Sequence, residues 1–354
     1  MRQLVYRCYG QTDGLSQISF LRRKGCLVRV LMVTIPLPAL DNPNTMAPLA
    51  RQIKSLRDLG VQVDVLEVKG MPKFKYLQTL PALHARVASV DLVHAHYGYC
   101  GWLARSQTHK PVVVSFMGDD LLGTPNEQGR VDPLSKLVVQ IDRWFARTVD
   151  AVIVKSAEMA EQVKPVRAHV VPNGVDMQTF RPIDSQEARL RLGWPEGKRY
   201  VLFPGDPDNP RKQFSLAQAV VKRAAEEIKD PLELIALKQV PPDQVPFYMN
   251  GSDVMMMTSY IEGSPNVVKE ALACNLSVVS VPVGDVSELL DGVMGYMVCP
   301  RDVELLAQAL VGTLTNGQDV NGRSVLKRKE LDLESVAQRL IRIYTDVLEK
   351  RSRN

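Results

Sequence analysis

At 354 residues the chain is long enough for two α/β domains, each with its own core. With 45% hydrophobic and 23% charged residues, and no apolar run near the roughly 18–20 residues of a membrane span, it reads as a globular, cytoplasmic protein. A formal charge of +5 is too small for the dense basic stripe of a nucleic-acid binder, so nucleic acid is excluded as a partner; anionic small molecules, or peripheral contact with the anionic inner face of a membrane, fit better.

Residues 1–27 are polar, are broken by Gly10, Gly14 and Gly25, and lack the apolar stretch of a signal peptide, so they read as a loose tail or an upstream start. From Val28, β-branched runs alternate with amphipathic segments, the pattern of βα units and parallel sheets. Strands are expected at 28–35, 61–68, 91–97, 111–117, 151–156 and 168–174, with helices near 46–59, 76–89, 134–148 and 157–163. These make one doubly wound domain over residues 28–182. A polar stretch at 183–198 reads as a linker with a short helix. The alternation then restarts, with strands at 200–205, 232–238, 253–259, 276–281 and 295–298 and helices near 211–228, 244–251, 265–274, 286–291 and 302–314, giving a second domain over 183–332. A last helix in 333–354 puts Val336, Leu340, Ile343, Tyr344 and Val347 on one face. The expected fold is therefore α/β, two Rossmann-like domains facing a central cleft, with ligands at the carboxyl ends of the strands.

The five cysteines, odd in number and scattered, argue against a disulfide framework and a zinc site and read as reduced and mostly buried. Basic clusters stand at 22–25, at 68–77 and at the C-terminus; in the second, Phe74 and Tyr76 alternate with Lys73 and Lys75, as a membrane-surface or acceptor loop would.

The most informative loop is YIEGSPNVVKEALAC, which follows the strand DVMMMTS. Ser264 is expected to cap a helix, Pro265 suits its first turn, and Gly263 admits a ligand close to the backbone. The free N–H groups of that turn and the helix dipole suit a phosphate. Glu262 before the helix and Glu270 within it can each accept from hydroxyl groups, so sugar hydroxyls, diphosphate and ribose hydroxyls could lie across one helix start. The alternative places Glu270 on a solvated face while Val267, Val268, Ala271 and Leu272 face the core.

This segment resembles the paired-glutamate region of the retaining glycosyltransferases of family 4, which have the GT-B fold; DLVHAHYGYCGWLA (91–104), VVPNGVDMQTFRP (170–182) and the element order match as well, so the resemblance covers roughly residues 28–350. It implies a nucleotide-diphosphate sugar on the second domain, an acceptor on the first, no metal and no cofactor, and a last helix that crosses back. Glu270 would then bind the ribose and Glu262 the donor sugar. The backbone of Gly263, Ser264, Pro265, Asn266 and Val267 would line the sugar and diphosphate. His96 would lie by the transferred sugar, the alternative being a hydrogen-bonded strand-end histidine, which is the reading preferred for His94.

The family holds the leaving diphosphate with an arginine and a lysine after the first strand of the second domain. Lys212 matches, beside Arg211 and after Gly205, but Asp206 stands where the arginine is usual. Either Arg211 compensates or the diphosphate is held more weakly. In the first domain the loop 36–48 lacks the usual glycine pair, although Asn42, Asn44 and Thr45 could cap a helix at the cleft, and Met117 replaces a basic residue. Asp119 and Asp120 are either acceptor contacts or turn formers, and Asn173 is either a turn residue or a donor contact. Base recognition is expected around 237–246. Neither an Asp-x-Asp motif nor a His/Cys cluster is expected in a loop facing the cleft. The implied activity is metal-independent, retaining hexosyl transfer to a hydroxyl acceptor, a glycan, lipid-linked or small molecule, in polysaccharide or glycoconjugate biosynthesis. The alternatives are a nucleotide-sugar-binding protein without turnover and another GT-B enzyme such as a nucleotide-sugar epimerase.

Overall fold

The computed structural model describes residues 28–39, 45–71, 74–126, 129–316 and 320–353. Two parallel sheets carry the chain. The first contains β1 (Arg29–Thr34), β2 (Gln62–Glu67), β3 (Leu92–His96), β4 (Val112–Ser115), β5 (Ala151–Val154) and β6 (Ala168–Val170), in the order β2-β1-β3-β4-β5-β6. The second contains β7 (Arg199–Phe203), β8 (Leu232–Ala236), β9 (Val254–Met257), β10 (Ser277–Ser280) and β11 (Tyr296–Val298), in the order β11-β10-β9-β7-β8. Each expected strand is present. Central strands such as β3, β4 and β9 are buried along their whole length, as expected where helices cover both faces of a parallel sheet.

In each sheet the strand order reverses next to the first strand, between β1 and β3 and between β7 and β9. Ligands of such sheets bind at that reversal, beyond the carboxyl ends of the strands. The loops after β1, β3, β7 and β9 are thereby placed to form the site.

One face of the first sheet is covered by Ala47–Asp58 and by the last helix, Leu333–Arg353, whose Val336, Leu340, Ile343, Tyr344 and Val347 are buried with Val30, Met32 and Ile53. The other face carries Lys75–Val87, Gly98–Arg105 and Pro133–Phe145. The second sheet has one core, shared by Phe214–Ala224, Asn266–Ala273 and Val303–Asn316. The last helix therefore belongs by packing to the first sheet although it follows the second in sequence.

Among the described residues, three helices lie where no helix was expected: Gly98–Arg105, Asp119–Leu122 and Gly322–Arg328. The first carries two glycines, each costing about 1 kcal/mol against alanine in a helix. Tertiary packing overrides that cost, because a Cβ at Gly101 would stand 2.7 Å from the Phe145 ring. The helix expected from 211 begins instead at Phe214, after a 3₁₀ turn at Pro210–Lys212 and a left-handed Gln213. Cys100 and Cys274 are buried and free, as expected; Cys8, Cys26 and the basic cluster at 22–25 lie outside the described residues.

Candidate active site

The loop from β9 delivers Glu262, and the turn after β7 delivers Lys212, whose Nζ lies 2.6 Å from Glu262 Oε1 with both side chains largely buried. Burial alone would raise the Glu262 carboxyl. The charges of Lys212 and Arg211, with hydrogen bonds from Lys212 and Ser259, outweigh it and hold the group below its ordinary value. Gly205 leaves the space that the Lys212 stem occupies, since a Cβ there would meet three of its carbons at 3.3–3.4 Å. Arg301 went unnoticed in the sequence, yet it fixes this loop, donating to the carbonyls of Thr258 at 2.5 Å and Ser259 at 2.7 Å while its guanidinium covers the Tyr260 ring. No short motif marks it, because its targets are backbone oxygens.

The helix after the loop begins at Asn266, with Pro265 at the cap position and no side-chain cap. The expected capping by Ser264 is not what the structure shows. The Ser264 hydroxyl turns inward and accepts from Lys269 Nζ at 3.0 Å. Lys269 and Asp285 are both buried under the loop. Burial lowers the Lys269 amine to about 8 against the pull of Asp285, and raises the Asp285 carboxyl to about 6 against the pull of Lys269. In both groups burial outweighs the mutual attraction. The Asn266 side-chain oxygen, at the mouth of the helix, has no partner, and Val267 behind it is half-buried.

Glu270 is 7% exposed, which rules out the solvated-face reading. Its Oε1 accepts from Arg51 Nη2 at 2.8 Å, from the helix Ala47–Asp58 of the first half. The sequence reading missed Arg51. Arg211 also crosses the cleft, with Nη1 2.6 Å from Asp119 Oδ1, while its Nε is buried without a partner. Its neighbours Asp206 and Asp208 form an Asp-x-Asp spacing in the loop after β7, contrary to the expectation that no such motif stands there. Lys238 occupies it, 3.9 Å from Asp206 and in direct contact with Asp208. Among the described residues no group of three His, Cys, Asp or Glu side chains is arranged to hold a metal ion.

Across the cleft, the strand ends of the first sheet present His94 and His96, with ring centroids 4.3 Å apart. His94 is a core histidine: Nδ1 meets Tyr344 Oη at 2.7 Å and Nε2 meets Ser115 Oγ at 2.8 Å. His96 differs, because both its ring nitrogens are buried without partners. Burial first, then His94 and Lys155, keep it uncharged well below the ordinary histidine value. Lys155 is itself buried, with one long hydrogen bond of 3.4 Å to the Val171 carbonyl, and burial and Lys269 lower it to about 7.

Asp120 is a turn former. Its carboxylate accepts from the backbone N–H of Met117 at 3.0 Å and of Gly118 at 2.9 Å, so it is not free for an acceptor. Asp119 alone of the pair reaches the cleft. Gly118 and Gly263 bring the two halves together: a Cβ on Gly263 would stand 3.2 Å from the Met117 carbonyl. Thr45 is half-buried in the turn before Ala47–Asp58, Asn173 is buried, and Asn42 and Asn44 lie outside the described residues. A cavity of about 420 Å³ lies elsewhere, between β11 and Val303–Asn316, and carries none of these charges.

Two facing Rossmann-like domains, with charged groups gathered at both strand-order reversals, are the architecture of the GT-B fold. Comparison with known proteins agrees. Residues 18–179 match Glycosyltransferase Family 4 and residues 199–316 match Glycosyl transferases group 1. The chain belongs to this family. It is 25% identical over 338 residues to TuaC of Bacillus subtilis (strain 168), a glycosyltransferase assigned to teichuronic acid biosynthesis, with 83% of this chain and 82% of that one covered. It is 30% identical over 272 residues to the D-inositol 3-phosphate glycosyltransferase of Mycobacterium avium (strain 104), with 63% and 61% covered. Among solved structures of the same fold are sucrose-phosphate synthase from Thermosynechococcus elongatus (TM-score 0.72, 17% identity, 91% of this chain and 100% of that one) and Anabaena HepE in complex with UDP and glucose (TM-score 0.64, 15% identity, 90% and 100%).

Proposed function

We propose that the protein is a retaining, metal-independent glycosyltransferase that moves a hexose-type unit from a nucleotide-diphosphate sugar to a hydroxyl acceptor. The observation that carries this reading is the Lys212–Glu262 pair, 2.6 Å apart at the reversal between β7 and β9. It sets a fixed cation beside a carboxylate that is kept ionised. The carboxylate suits donor hydroxyls, and the cation suits the charge that grows on the departing diphosphate. The free N–H groups at the start of Asn266–Ala273 add neutralisation there.

In the reaction the bond from the anomeric carbon to the diphosphate oxygen breaks, and the acceptor oxygen bonds to the same face of that carbon. The acceptor proton passes to a leaving phosphate oxygen, so no protein nucleophile is needed. Glu270 accepts from the ribose through the oxygen that Arg51 leaves open. His96, uncharged and without partners, offers hydrogen bonds to the transferred sugar. HepE, which shares the fold, holds UDP and glucose, and a donor of that chemical class fits this set of groups.

The test incubates the full chain with UDP-, GDP-, ADP- and dTDP-sugars and a panel of hydroxyl acceptors, and reads the anomeric configuration of the product by NMR. Product of unchanged configuration is expected. An inverted product, or an epimerised sugar with no transfer, would refute the reading.

A further inference from the structure

We infer that the outer face of the first domain, on the helix layer Lys75–Val87, Gly98–Arg105 and Pro133–Phe145, docks onto the surface of an anionic phospholipid bilayer. The three helices pack on one face of the first sheet, over a shared core. Gly98 and Gly101 let Pro133–Phe145 approach closely: a Cβ on Gly98 would stand 2.2 Å from the Asp142 carboxylate. Ring contacts from Tyr76 to Tyr99 (5.8 Å), Tyr99 to Trp102 (4.7 Å) and Trp102 to Phe145 (6.5 Å) tie the layer together.

The outside of this layer is apolar where a soluble helix would be polar. On Pro133–Phe145, Leu134, Leu137, Ile141 and Trp144 recur every three or four residues, and Leu134 and Trp144 are 69% and 64% exposed. On Lys75–Val87, which packs on Gly98–Arg105, Leu77 is 64% exposed, preceded by Phe74 at 53%. Of the large apolar side chains left exposed among the described residues, Leu77, Tyr99, Leu134, Leu137, Ile141 and Trp144 fall on these three helices, four of them on Pro133–Phe145. Scattered exposed leucines need no explanation, but a recurring stripe joined to aromatic neighbours does.

Charge selects the partner. Lys136 and Arg147 are exposed and make no ion pair among the described residues; Lys136 lies on the arc of the helix next to the apolar stripe, Arg147 in the 3₁₀ turn that follows it, and Lys75 opens the helix Lys75–Val87. An apolar stripe bordered by Lys and Arg, with Trp and Tyr at its edges, is the composition of a surface that sinks about 5–10 Å into the headgroup region of an anionic leaflet. A second copy of this chain would instead bring the same basic arcs together. Docking here would leave the second domain free to bind its donor, so the inference does not depend on the reaction proposed above.

The test is co-sedimentation of the full chain with phosphatidylcholine vesicles, with and without about a third phosphatidylglycerol. Binding to the anionic vesicles is expected, at least about tenfold tighter than to phosphatidylcholine alone. Ile141→Glu with Trp144→Glu should abolish sedimentation on both vesicle types. Lys136→Glu with Arg147→Glu should remove only the preference for the anionic ones. All four positions are exposed, and unchanged circular dichroism and thermal unfolding of each variant would show that the loss is not misfolding. Wild-type protein that stays in the supernatant with either vesicle would overturn the inference. So would a dimer, seen by light scattering, that the Ile141→Glu, Trp144→Glu variant dissolves, because the stripe would then be a self-interface.

Discussion

Arg51 of the first half donates from Nη2 to Oε1 of Glu270 in the second, at 2.8 Å, with the carboxylate buried and the guanidinium stacked 5.2 Å from the centre of the Phe180 ring. A residue expected to bind ribose is thus held by a cation from the opposite domain. Glu270→Ala should weaken nucleoside-diphosphate binding by roughly 10- to 100-fold, the equivalent of about 1.5–3 kcal/mol of charged hydrogen bonding. Arg51→Ala should weaken it less, because it disturbs only the orientation of Glu270. The double variant should be no worse than Glu270→Ala. Calorimetric titration of the four proteins checks this, and additive losses would mean that Arg51 touches the nucleotide independently.

Lys212→Ala should lower kcat by roughly 10²- to 10³-fold and leave donor KM within about tenfold, because charge on the diphosphate grows toward the transition state. Removing the amine also removes the largest attraction that depresses Glu262. Activity that needs ionised Glu262 is lost as pH falls through its folded value, so the acidic limb of kcat/KM should move to higher pH in Lys212→Met. An unshifted limb would separate Glu262 from the pH dependence.

His96 is buried and uncharged in the folded protein, whereas in the unfolded chain it takes a proton below about pH 6.5. Its lowered folded value means that the stability it contributes is present above about 6.5 and is lost as pH falls below that. His96→Gln should make the stability fall less between pH 7 and pH 5, as read by urea unfolding at the two pH values. It should also lower kcat/KM, since the sugar would lose a hydrogen-bonding partner.

Lys269 and Asp285 form a buried pair under the loop that carries Glu262, joined through Ser264. Asp285→Leu alone should cost about 3–5 kcal/mol by leaving the Lys269 charge unpaired, whereas Asp285→Leu with Lys269→Met should recover most of that. Chemical denaturation distinguishes the two. Donor affinity should stay reduced even in the double variant, because Ser264 loses the groups that orient it.

Chelation tests the role of Asp206 and Asp208. Lys238 sits against both carboxylates and supplies the charge a divalent cation would bring, so activity is expected to survive EDTA. Lost activity restored by Mn²⁺ would show that the cation displaces Lys238.

The strand runs were legible because parallel strands covered on both faces are continuous apolar runs, and VRVLMV and VMMM leave no other reading. The last helix showed its buried stripe for the same reason, since Val336, Leu340 and Tyr344 repeat at helical spacing. That Glu262 precedes a helix, that Glu270 lies within it and that Lys212 follows β7 was legible because each stands in a short segment where neighbouring residues fix the backbone. What the tertiary structure alone decided are the pairings between distant segments. Arg51 meets Glu270 across 219 positions, Arg211 meets Asp119 across 92, and Tyr344 meets His94 across 250. Such contacts leave no local periodicity, and a lone arginine on a helix looks the same whether it faces water or a buried carboxylate. The capping role expected of Ser264 failed for a related reason: a hydroxyl beside a helix start chooses between the backbone and a buried lysine, and the lysine is brought there only by the fold.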